Sequence, residues 1–223
     1  MQDGDPIIAI QPEALPPKPR RVDGRALRSE RTKQIIIEAY LELLNEGPQL
    51  PTAAQIARRA GYSVRSVFER FDDLLALTIA AADYAFAETI ARAIRQDRSG
   101  TRIERLHANV ERRSSICERW LPLWRVLLHH QTESELVSER IRQIRDVTWR
   151  GLALNYHAEL APLPEVERKI LLIALEQLTD FESWGRTRER HGLSVAEARQ
   201  AWITAIDRLL PPTPPDQAQA ATA

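Results

Sequence analysis

The 223-residue chain holds few side chains in arrangements that could do covalent chemistry. Cys117 is its single cysteine, so it has no CxxC partner and can form no internal disulfide. His129 and His130 are adjacent, and neighbours on a helix point about 100° apart, which makes a poor chelate. Glu176 and Asp180 stand at i, i+4, a spacing that suits solvated or interface residues before an acid/base pair. No glycine-rich phosphate loop occurs. The expectation is therefore no catalytic residue, no metal ligand and no cofactor, in a protein that is not an enzyme. The groups left with a chemical use lie in one short stretch, TAAQIARRAGYSVRSVFERF, residues 52–71. Hydroxyls such as Thr52 and Ser63 at helix N-termini suit phosphate contacts. Arg65 can read guanine O6 and N7 with two parallel hydrogen bonds, or it can touch phosphate, which carries no sequence information.

Presenting those groups takes two short helices and a tight turn. Thr52 and Gln55 have the N-cap to N3 spacing of a capping box, and Ile56, Ala57 and Ala60 face inward. Gly61 suits a left-handed C′ position. Ser63 caps the next helix, Tyr62 and Val67 have the spacing of a hydrophobic staple, and Val67 and Phe71 face inward together. Val64, Arg65, Ser66, Phe68 and Glu69 then face outward, on a helix of a size that fits the B-DNA major groove. Arg58, Arg59 and Arg70 fit a solvated face equally well.

The surrounding chain reads as helix almost throughout, with 3.6-residue periodicity and little alternation. Helices are predicted at 29–45, ended by Gly47-Pro48, and at 72–96, 101–119, 120–130, 133–160, 164–191 and 194–209. Residues 1–24 and 211–223 are Pro-rich and aperiodic and read as a disordered arm and tail. The arm lacks a basic region followed by a long apolar core, so it is not read as a signal peptide. The most apolar run, 74–87, is interrupted by Asp83 and falls short of the roughly 20 residues that span a bilayer, so no membrane partner is expected. A lone cysteine suits a reducing cytoplasm.

Net charge is zero, but its distribution is uneven. Residues 18–71 carry eleven Lys and Arg against six acids, net +5, while 72–223 carry 20 basic against 22 acidic residues, net −2. A basic front on a slightly acidic body fits a front that meets a polyanion. The cluster Lys18, Arg20 and Arg21 is read first as a soluble linker and second as a groove-reading arm.

The 52–71 stretch resembles the reader of the TetR family, T-x-x-x-I-A-x-x-A-G-V-S-x-x-T-L-Y-x-H-F-x-S-K-x-x-L. Thr52, Ile56, Ala57, Ala60, Gly61, Ser63 and Phe71 match outright, and Ser66 and Val67 match in kind. Three departures bear on DNA contact: Phe68 stands for the usual Tyr, Arg70 for His and Leu74 for Lys, so two phosphate contacts are lost that Arg65, Arg70 and the arm could replace. The resemblance implies an all-α protein with a three-helix helix-turn-helix DNA-binding domain at 25–71 and a helical effector-binding and dimerisation domain at 72–210. It implies a ligand-responsive, homodimeric, cytoplasmic transcription regulator, a repressor released from a double-stranded DNA operator by a small apolar or aromatic effector. The alternative is a TetR-like small-molecule binder or interaction module that has lost operator binding, a reading that Phe68 and Leu74 keep open.

DNA-binding residues implied in this way are Thr52, Gln55, Ser63, Val64, Arg65, Ser66, Phe68 and Arg70. Effector contacts are expected from Tyr84, Cys117, Trp124, His129, Thr148, Trp149 and Asn155, and a dimer interface from Ala174, Leu178, Phe181, Trp202 and Ile206. The five tryptophans, Trp120, Trp124, Trp149, Trp184 and Trp202, are read first as core or interface and second as ligand-stacking groups.

Overall fold

The computed structural model describes residues 24–94 and 99–214. Its elements among the described residues are helices: α1 Gly24–Glu46, α2 Ala53–Ala60, α3 Val64–Phe68, α4 Leu74–Ile94, α5 Arg102–His130, α6 Glu135–Asn155, α7 His157–Leu160, α8 Glu165–Leu178, α9 Phe181–Gly185, a π-helical turn Arg186–Arg190, and α10 Val195–Leu209. The all-α expectation is met. Of the arm expected at 1–24, Gly24 is the first residue of α1 and the rest lies outside the described residues. Of the expected tail, 211–214 are described, and Thr213 Oγ1 donates to Glu159 at 2.6 Å; 215–223 lie outside.

Local signals start most of these helices where the sequence places them. Thr52 with Gln55, Thr101 with Glu104, and Ser194 with Glu197 each form a capping box. Asp73, not Asp72, begins α4: its Oδ1 accepts the Ala76 N–H at 2.7 Å.

Three expected boundaries are corrected. A helix break was expected between residues 119 and 120, but α5 runs unbroken for 29 residues through Pro122. An interior proline costs about 3 kcal/mol. Trp120, Leu121, Leu123 and Trp124 around it are all buried, and burial contributes about 1.5–3 kcal/mol for a large apolar side chain, so packing outweighs the proline. The helix expected at 133–160 breaks at Tyr156 into α6 and α7. The helix expected at 164–191 breaks at Thr179-Asp180, because Asp180 caps a new helix through the Ser183 N–H.

Buried apolar residues from α1, α2 and α3, from α4 to α9, and from α10 form one continuous core. Tyr40 of α1 hydrogen-bonds Thr78 of α4 at 2.9 Å inside it. Arg59 ties α2 to α1 through Glu42 at 3.3 Å and Glu46 at 2.7 Å, so this arginine is used by the fold. Over Leu74–Ala91, α4 is long and apolar enough to meet the length and composition criterion for a membrane span, contrary to the expectation that this run is too short. Its Leu77, Ala81, Ala82 and Ala85 are buried in the core, with α1, α5 and α6 packed against it. At the other end, the Arg102 guanidinium grips the C-terminus of α10, with Nη2 donating to the carbonyls of Asp207 at 3.0 Å and Leu210 at 3.1 Å.

Candidate functional site

The helix-turn-helix unit is built on the turn between α2 and α3. Gly61 sits at φ 76°, the left-handed region that a β-carbon disfavours, and its N–H and that of Tyr62 close onto carbonyls of α2. Ser63 Oγ accepts the Ser66 N–H at 3.1 Å and starts α3. Val67 and Phe71 fill the core beneath, which turns the rest of α3 outward. Val64 and Phe68 are 40% and 46% exposed. The Arg65 side chain is 88% exposed, and its Nε donates to Glu69 at 3.0 Å. Thr52 and Gln55 are both exposed at the start of α2, where each also completes the capping box. Arg70 is folded back instead: its side chain is 22% exposed and Nη1 donates to the Ser66 carbonyl at 2.9 Å.

In the body, α4, α5, α6 and α9 line a partly open apolar cavity of about 60 Å³, with Phe86, Ile116, Trp120, Trp124, Ile144, Thr148 and Phe181 among the lining residues. It adjoins a second cavity of about 320 Å³ that shares Arg113, Trp124, Ile144, Thr148 and Phe181 and adds Arg145, Glu176 and Asp180 at its rim. Trp124 and Phe181 stack at 4.9 Å and 18°. Arg113 lies over the Phe181 ring at 5.0 Å and donates to the Thr179 carbonyl at 2.9 Å. An apolar lining beside a few polar groups is the combination small-molecule sites commonly take.

No family model matches the chain, and no curated protein matches it. Solved structures do. A TetR-family transcriptional regulator from Streptomyces coelicolor superposes with a TM-score of 0.66 at 18% identity, covering 81% of this chain and 80% of that one. A transcriptional regulator from Rhodococcus sp. Rha1 gives 0.63 at 16% identity, covering 82% and 99%. A TetR transcriptional regulator from Rhodococcus sp. RHA1 gives 0.50 at 17%, covering 80% and 96%. The chain has the fold of the TetR-family transcriptional regulators.

Within the TetR fold the expected effector residues do not all converge. Trp124 and Thr148 line the cavities. Cys117 is fully buried behind them, its thiol pushed up to about 11 by burial. Trp149 is half-buried against the core and Asn155 is buried near the end of α6; neither lines either cavity. Tyr84 lies in a separate groove with Glu38, to which its hydroxyl donates at 3.3 Å, and His129 lies in another beside the α1–α2 loop. Arg113, Ile116, Trp120 and Phe181 were missed as lining residues. Positions 113, 116, 120 and 124 share one helical face, a register that a break after residue 119 conceals.

The expected dimer residues divide between the inside of the protomer and its surface. Phe181, Trp202 and Ile206 are spent inside the protomer, at 6%, 2% and 1% exposure, and Trp202 meets Trp184 edge to face at 4.9 Å. Ala174 and Leu178 are half-buried. The uncovered apolar stripe of α8 is Val166, Ile170 and Ile173, 70%, 59% and 44% exposed.

Proposed function

We propose that the chain is a homodimeric, cytoplasmic, DNA-binding transcriptional regulator of the TetR type, a repressor released from its operator by a small apolar or aromatic effector. The observation that carries this reading is α3: an N-capped helix on a TetR fold, with Val64, Arg65 and Phe68 turned to solvent and not required by the core. Residues 25–71 are the reader and 72–210 the effector-binding and dimerisation body. Thr52, Gln55 and Ser63 fit phosphate contacts at helix N-termini, and Arg65 fits a base edge. Arg70 serves as a brace on α3 more than as a DNA contact, since its guanidinium is engaged on the Ser66 carbonyl.

The coupling follows from α4. Thr78 on this helix is bonded to Tyr40 of the reader, and Ala82, Ala85, Phe86 and Thr89 on the same helix line the inner cavity. About 12 Å of rigid helix, at 1.5 Å per residue, separates Thr78 from Phe86. An effector larger than the small cavity that wedges against Ala82, Ala85, Phe86 and Thr89 displaces α4, and a displaced α4 carries the reader with it. Two readers must stand roughly 34–36 Å apart to meet successive major grooves, so a modest change in that distance releases the operator. The test is an electrophoretic mobility shift with the promoter DNA beside the chain's own gene. A retarded band that competitor DNA of unrelated sequence does not abolish supports the reading, and no retarded band at micromolar protein contradicts it.

A further inference from the structure

The outward surface of α3 and its C-terminal flanking residue consists of Val64, Arg65, Phe68 and Glu69. Val64 and Phe68 are i, i+4 neighbours, so they share one face of the helix. Arg65 and Glu69 have the same spacing and are bonded to each other. The hydroxyls at the helix start are also engaged, Ser63 Oγ and Ser66 Oγ lying 3.0 Å apart. Polar groups on this surface thus have partners within the helix, while Val64 and Phe68 have none. Tyr62, 37% exposed, extends the apolar surface at the turn, its hydroxyl 3.4 Å from Thr32 Oγ1 of α1. Single exposed apolar residues are ordinary. Two on one face of the projecting helix, beside a turn tyrosine and in a reader segment, 25–71, with eight Lys and Arg against five acids, net +3, call for an apolar contact within a polyanionic partner.

Only one apolar group stands on the major-groove edges of the four base pairs: the C5-methyl of thymine. We propose that Val64 and Phe68 read thymine methyl groups, so that the operator carries thymines beneath this face of α3 and is chosen there by methyl contact, without hydrogen bonds. The inference rests on the DNA-binding reading above and adds its specificity. Phe68 suits the role because its ring ends in carbon, with no hydroxyl to draw it to phosphate. Arg65, one residue round the helix from Val64, remains free to read a neighbouring base by exchanging Glu69 for guanine.

Uracil has the same groove-edge acceptor as thymine and lacks only the methyl, so replacing dT by dU removes the contact and nothing else. The full-length chain is used to select duplexes from a random library. Each thymine of the selected half-site is then replaced by dU, and affinity is read by fluorescence anisotropy. The expected result is one or two thymines per half-site at which dU weakens binding roughly fourfold per methyl, or about 15-fold when both half-sites are changed. Phe68→Ala and Val64→Ala should each abolish the dT-to-dU difference at a different position and keep the wild-type helical spectrum. A selected duplex bound equally well with every dT replaced by dU overturns this inference and leaves DNA binding intact. A library from which no sequence is enriched overturns DNA reading itself, and the inference with it. The dU comparison uses the wild-type chain, so it stands even if a variant fails to fold.

Discussion

Replacing Ile170 by Asp tests whether the outward stripe of α8 is where two chains meet. Ile170 is 59% exposed in the single chain, with Val166 and Ile173 beside it on the same face. Full burial of an isoleucine contributes about 1.5–3 kcal/mol, so covering the exposed part of Ile170 contributes about 1–2 kcal/mol. A two-fold interface uses the same patch on both chains and doubles that figure. The aspartate adds a larger penalty, because an uncompensated charge in a closed interface costs about 3–5 kcal/mol. Together the loss is at least about 4 kcal/mol, a thousandfold or more in dissociation constant. The protomer itself should tolerate the change, since Ile170 lies outside the core. Sedimentation velocity at micromolar protein should find the wild type dimeric and Ile170→Asp monomeric, with the same helical circular dichroism. Operator binding should weaken in parallel, because a single reader keeps only half of the contacts. A variant that remains dimeric at that concentration would refute the placement of the interface.

Arg65→Ala should cost about 1–3 kcal/mol of operator affinity and relax preference at one position of each half-site; an equal loss on every sequence would instead identify a phosphate contact. Gly61→Ala meets no atom within 4 Å, so its cost is backbone strain alone, about 1–2 kcal/mol. Calorimetry should show a midpoint lowered by roughly 2–8 °C, with Gly61→Asn milder, and equal midpoints for Ala and wild type would exclude a strained turn. Trp124→Phe should remove most of the fluorescence quenching produced by an aromatic probe such as anilinonaphthalene sulfonate, while Trp149→Phe should retain it; the reverse would put the ligand on the other face of α6.

The parts of the molecule that were legible in the sequence are those fixed by neighbours in the chain. The capping residues Thr52, Ser63 and Ser194 and the left-handed Gly61 act within four residues, and each stands where their spacing places it. What was misread depends on distant packing. Pro122 is a helix breaker by local propensity, yet the buried side chains around it carry the helix through. That one break shifted the register of α5 and hid Arg113 and Ile116 from the cavity. In α8, apolar residues occupy nearly every side from Val166 to Leu178, so periodicity cannot say which stripe is inner. The structure turns Leu172 and Leu175 inward and leaves Val166, Ile170 and Ile173 uncovered. The break at Asp180 did have a local signal, an aspartate three residues before Ser183, obscured by the apolar pattern that continues through it.

The central claim is that this fold reads duplex DNA through the unit at residues 52–71, and salt dependence tests it most directly. Anisotropy of a labelled promoter duplex, titrated with the full-length protein between about 50 and 200 mM salt, reports how many phosphates the protein neutralises. The account predicts a log–log slope of several units, with affinity for the promoter duplex remaining above that for a scrambled duplex at every salt concentration. A flat slope, or equal affinity for promoter and scrambled duplex throughout, would contradict it.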